Sequence, residues 1–265
     1  MLHRLSTSDL DTSEEGMEIA SAHIVARRAV IAGGVLLLAY GFLFVLGQEQ
    51  VDTYVEEDGV VETLGACLLL VGSAFFALTF IRRCRTGAIS LEQVVLLLLA
   101  IAFFFGAGEE ISWGQRLFGL DTPSGLENAN AQKELNVHNL DALDGWLNVD
   151  RLFQVFWLVL GVVIPIAAAR SDRLRIMFAT RLPVFPVWVA TLLIANQLIA
   201  ELATVMKGIG GIEYNGTVAF EQARFEVTET MVAAILAIGA FALWKASRLL
   251  DEVSSPPTSA LTTET

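Results

Sequence analysis

The chain has 265 residues, of which 54% are hydrophobic and only 17% charged, and its mean hydropathy is +0.59. A water-soluble domain of this length cannot cover so much apolar side chain, so a membrane is the first class to test. The formal net charge of −12 argues against nucleic acid as a partner.

Residues 1–28 form a polar N-terminal tail that carries Asp9, Asp11, Glu14 and Glu15 and does not read as a signal peptide. A retained helix is expected over 29–47, which has no charge at all. The run 60–81 carries Glu62 near its start, and 90–108 carries Glu92 near its start. The runs 152–169 and 182–200 are free of charge, and 228–244 has Glu229 in its first turn. Each is close to the roughly 20 residues a helix needs to cross about 30 Å of hydrocarbon. Six such runs in one short chain leave nothing to bury them in water. The expectation is therefore an all-α membrane protein: a six-helix transmembrane domain over 29–248 and a disordered tail over 249–265. The two cysteines, Cys67 and Cys84, fall at different depths and give no disulfide framework.

Lys and Arg near helix ends set orientation. Twelve of the 17 basic residues fall on the side of the two tails and of the loops 82–89 and 170–181. That side is expected to be cytoplasmic, which puts both termini inside the inner membrane. Nineteen of the 29 acidic residues fall on the other side. The lipid bilayer is the one partner this pattern names.

The chemistry gathers at the acidic end. Glu62 lies one turn into the second run. Gln197 and Glu201 are four apart on the fifth, and so share a face. The third run ends in Glu109 and Glu110, followed by Trp113, Gln115 and Arg116. These open a loop of about 40 residues, 109–150, a length that is uncommon without a function. Its later part reads Asn128, Asn130, Gln132, Lys133, Glu134, Asn136, His138 and Asn139, ahead of apolar residues at the spacing of a short amphipathic helix with Trp146. That helix is expected to lie in the outer interface and roof the bundle.

Intramembrane carboxylates are costly unless they face a polar interior or pair. The candidate catalytic residues are Glu109, Glu110, His138 and Arg116. Two adjacent acids split in acidity, a guanidinium holds an anion, and the imidazole titrates near neutrality. The candidate binding residues are Glu62, Trp113, Gln115, Asn136, Asn139, Gln197 and Glu201. A divalent cation held by the carboxylates and His138 is compatible with this set, whereas a three-histidine zinc site is not, because no histidine lies in a membrane run.

The strings Glu109-Glu110-Ile111-Ser112-Trp113-Gly114-Gln115-Arg116 and Asn136-Val137-His138-Asn139, with Glu57-Asp58-Gly59 upstream, resemble an uncharacterised family of bacterial polytopic inner-membrane proteins. The resemblance implies a membrane bundle and supplies no activity. CAAX-type intramembrane proteases place Arg after three intervening residues from a Glu-Glu pair and add two later histidine motifs, whereas this chain has five residues between Glu110 and Arg116 and a single later histidine. Three functions stay open: a membrane-embedded hydrolase or transferase for a lipid-linked substrate, a transporter or channel for a cation or small solute, and an assembly subunit of a membrane complex.

Overall fold

A computed structural model of the chain describes residues 27–46, 48–55, 59–84, 89–127, 129–130, 133, 135–136, 149–210 and 218–254. In chain order the helices are α1 (Arg27–Val45), α2 (Gln48–Val55), α3 (Val60–Arg83), α4 (Leu91–Glu110), α5 (Gln115–Phe118), α6 (Ser124–Glu127), α7 (Val149–Leu158), α8 (Ile164–Arg170), α9 (Asp172–Ala179), α10 (Val187–Gly210) and α11 (Phe220–Ser254). A 3-10 turn at Ser112–Gly114 leads into α5, and a π turn at Val159–Val163 joins α7 to α8. Six stretches are long and apolar enough to cross a membrane: Arg27–Val45, Gln48–Arg83, Leu91–Glu110, Arg151–Arg170, Val187–Gly210 and Phe220–Leu249. The fold is the expected all-α bundle, and its composition fits a polytopic membrane protein.

α3 is the centre of the bundle, packed along its length against both α4 and α11, while α10 covers α11 and the π turn covers α10. One apolar core joins these helices through Phe76, Leu96, Phe103, Phe185, Leu193 and Leu236. Phe76 meets Phe103 and Phe185 edge to face at 5.1 and 6.1 Å, the offset geometry that aromatic quadrupoles favour. Water supplies no drive between helices inside a bilayer, so close backbone approach has to hold them. A Cβ on Gly72 would lie 2.8 Å from the Phe103 ring and 3.5 Å from the Ala237 backbone, so only glycine lets α3 sit between α4 and α11. A second cluster attaches α1 and α2, through Tyr40, Leu43, Val51 and Val55, to Ala200, Ala203, Phe220 and Val227.

Local chemistry explains the helix ends. α4 starts with a capping box in which Ser90 Oγ accepts from Gln93 N at 3.3 Å and Ser90 N donates to Gln93 Oε1 at 2.6 Å. Gln93 Nε2 also donates to Arg83 O at 2.7 Å, so one buried amide closes α3 and opens α4. Pro165 lacks an N–H and its ring crowds the carbonyl four residues back. The π turn before it takes up that mismatch.

Two helix extents differ from those read off hydropathy. α10 starts at Val187, not Leu182, because Pro183 and Pro186 hold the residues before them extended. It continues to Gly210, and α11 begins at Phe220, so Glu201, Glu221, Glu226 and Glu229 are all helical. Hydropathy stops at the first polar residues, whereas these helices carry on through amphipathic turns at their ends. The expected interfacial helix with Trp146 lies outside the described residues.

Candidate functional site at the acidic end

The packing contacts fix which residues share a depth. α3 and α11 run in step. Gly65 faces Thr230, whose Oγ1 donates to Val61 O at 3.0 Å, while Gly72 faces Ala237 and Phe75 meets Phe241. The level of Glu62 on α3 therefore falls between Glu226 and Glu229 on α11. α4 runs the other way: Ser73 Oγ donates to Ala100 O at 2.7 Å, and Leu69 reaches Gly106. That register puts Glu109 and Glu110 beside Gly65 and Ala66, about one turn from Glu62, and puts Glu62 level with the Ser112–Gly114 turn. α10 is antiparallel to α11, and Asn196 meets Thr228. Carboxylates and amides from α3, α4, α10 and α11 thus occupy one layer. Glu62, Glu109, Glu110, Glu226 and Glu229 are half-buried there, and each is engaged by a neighbour.

The turn after α4 is the most constrained piece of this layer. Ser112 and Trp113 take φ of 44° and 55°, left-handed values that cost a residue with a Cβ about 1–2 kcal/mol each. Side-chain bonds hold them there. The Trp113 indole Nε1–H donates to Glu109 Oε1 at 2.7 Å, its ring lies over Gly108, and its edge contacts involve Phe104 and Phe105. Ser112 Oγ accepts from Asn136 Nδ2 at 3.1 Å, and Asn130 Nδ2 donates to both Asn136 O and Asn136 Oδ1, at 2.9 and 2.8 Å. All three of Ser112, Asn130 and Asn136 are buried. Gln115 completes the tie: its Oε1 accepts from Leu135 N at 2.7 Å, and its Nε2 donates to Thr122 Oγ1 at 2.5 Å. Thr122 Oγ1 in turn donates to Lys133 O at 2.6 Å.

Gln115 and Asn136 entered as candidate ligand-binding groups. In the fold their amides bind the chain itself, tying Leu135 and Asn136 to the residues after α4.

Glu201 does not join the half-buried glutamates. Its side chain is exposed, accepts from Gln197 Nε2 at 2.9 Å, and lies 3.6 Å from the Arg224 guanidinium. Arg224 also donates from Nε to Glu221 Oε2 at 3.0 Å. The Gln197–Glu201 face is as expected, and its partner is a cation of α11 that charge counting assigned only to a loop. Hydropathy also passed over Tyr40. Its hydroxyl, buried with Asn196, lies 3.0 Å from both Asn196 Oδ1 and Thr228 Oγ1, and Asn196 Nδ2 donates to Thr228 O at 3.2 Å. A lone tyrosine in an apolar run gives no signal of this in the sequence. Asp52 on α2 is a further buried acid.

Arg116 lies on α5, and its side chain is not among those described. His138 and Asn139 lie outside the described residues. Among the described residues no group of three His, Cys, Asp or Glu side chains is placed to hold a metal ion. No protein-family model matches the chain, and neither a curated protein nor a solved structure is similar to it.

Proposed function

We propose that this protein is a membrane-embedded hydrolase or transferase acting on a lipid or lipid-linked substrate from the outer leaflet, with Glu109 or Glu110 as general base. The observation that carries the reading is the strained Ser112–Trp113 turn, which aims an indole N–H at Glu109 next to the exposed rings of Phe104 and Phe105. Backbone strain of this kind persists only where the surroundings over-determine it, and it concentrates at reactive sites. A carboxylate beside exposed aromatics at a helix end is reachable laterally from lipid. In this scheme Arg116 holds an anionic group of the substrate. His138 returns the proton or, with the carboxylates, holds a divalent cation. The likeness to the bacterial inner-membrane family, the inner-membrane location and the cytoplasmic termini belong to the same proposal and rest on the motifs and on the basic asymmetry.

A second reading takes support from the layer as a whole. Half-buried glutamates on three adjacent helices also suit a cation or proton path. Reconstitution separates the two. Liposomes of a total lipid extract, followed by mass spectrometry, are expected to show time-dependent conversion of one lipid class, lost in Glu109→Gln or in Glu110→Gln. Unchanged lipids together with glutamate-dependent cation flux would replace the first reading by the second. Orientation is tested with an impermeant thiol reagent on intact cells. Ser124→Cys is expected to label at once and Ser171→Cys only after permeabilisation, and the reverse order would invert the topology.

A further inference from the structure

The opposite end of the α3–α11 seam carries a different kind of site. A cavity of about 340 Å³ opens there between the two helices, lined by Leu78, Ile81, Arg82, Trp244 and Arg248. We propose that it holds the headgroup of an anionic phospholipid from the leaflet at this end.

The floor is rigid. Trp244 packs against Phe75 and Phe241 with ring centroids 5.5 and 5.7 Å apart, and those two meet at 5.1 Å. The Arg248 guanidinium sits 5.3 Å above the Trp244 ring, a cation–π contact that holds the charge at the pocket wall. Arg82 faces it from α3 and is half-buried. Two planar guanidinium groups on one cavity suit the oxygens of a phosphate, which they bind through paired N–H donors.

The rest of the pocket selects a lipid over a soluble anion. Leu78 and Ile81 form an apolar wall, and together with Phe241 they are exposed on the outside of the bundle. Hydrocarbon chains leaving the cavity run down that surface. The depth also fits: α3 ends at Arg83, and the apolar stretch of α11 ends at Leu249, beside Arg248. The pocket therefore straddles the boundary between hydrocarbon and water, where basic clefts between membrane helices meet anionic headgroups.

Among the described side chains, the neighbouring charges do not cancel this field. Arg83 lies beside the pocket residue Arg82 and takes Glu92 as a partner at 3.8 Å, and Lys245 precedes Arg248 by three residues. Arg82 and Arg248 both have neighbours already, so the phosphate joins a shared set.

The test uses the full chain purified in zwitterionic detergent. Short-chain phosphatidylglycerol, phosphatidylcholine with the same chains, and inorganic phosphate are titrated against its thermal midpoint. Phosphatidylglycerol alone is expected to stabilise it. Each arginine contributes about fivefold to the affinity, so Arg82→Gln with Arg248→Gln should weaken binding about twenty-five-fold. If the double variant does not fold, the exposed Arg248→Gln carries the test at about fivefold. On the wild type, raising salt from about 0.1 M to about 1 M should remove most of the shift. Equal stabilisation by phosphatidylcholine, equal stabilisation by inorganic phosphate, or undiminished binding to the variants would each overturn the proposal.

Discussion

At mid-depth α3 and α11 meet through Gly72 and Ala237, with Phe103 closing over the same glycine. A few turns toward the acidic end, the same two helices meet at Gly65 and Thr230, and the contact is made by a hydroxyl donating to the Val61 carbonyl. The first contact is shape alone. The second adds a hydrogen bond to the shape. The middle layer should therefore resist added volume and the acidic layer should resist lost partners, and substitutions can separate the two.

Gly72→Leu is expected to be the most damaging change. The new side chain meets the Phe103 ring and the α11 backbone at once, and overpacking of this kind costs about 1–3 kcal/mol, often more against backbone. A thermal midpoint close to wild type in detergent would mean that the helices part more easily than the contact implies. Asn196→Leu probes the other layer at nearly constant volume. It leaves the buried Tyr40 hydroxyl with only Thr228 and strips a donor from the Thr228 carbonyl, for about 1–2 kcal/mol. A gain in stability would show that the layer tolerates dry packing. Trp113→Phe keeps a ring over Gly108 and removes the N–H bond to Glu109, for roughly 1 kcal/mol. Its loss of lipid turnover should exceed its loss of stability, and proportional losses would reduce Trp113 to a packing role. Arg224→Leu should be the mildest, below about 1 kcal/mol, because its partners Glu201 and Glu221 are exposed. A larger loss would mean that Arg224 also steadies the buried Tyr40 cluster.

The fold was legible because the bilayer imposes a length. Runs such as 29–47 and 90–108 needed no neighbour to be read as helices. The ends were less legible, since Pro183 and Pro186 delay α10 while amphipathic turns extend α11 back to Phe220. For the site, the sequence singled out the acidic end of the bundle. It gave no sign that Gln115 bonds to Leu135 and Thr122 or that Asn136 bonds to Ser112 and Asn130, because an amide reads the same whether it waits for a ligand or ties down a loop. The pairing of Glu201 with Arg224 and the burial of Tyr40 depend on how α1, α10 and α11 pack. No spacing along one helix reports such contacts.

The central claim is that the acidic layer is a reactive site and that its glutamates are kept for chemistry. Glu109→Gln preserves shape and an acceptor for the Trp113 N–H while removing one of the two candidate bases, and Glu110→Gln removes the other. Turnover of lipid and the thermal midpoint should be measured on each variant in liposomes. The expected result is a fall in turnover of roughly 10²- to 10⁴-fold in at least one of them with its midpoint unchanged. Undiminished turnover in both, or losses that follow the folded fraction, would contradict the account.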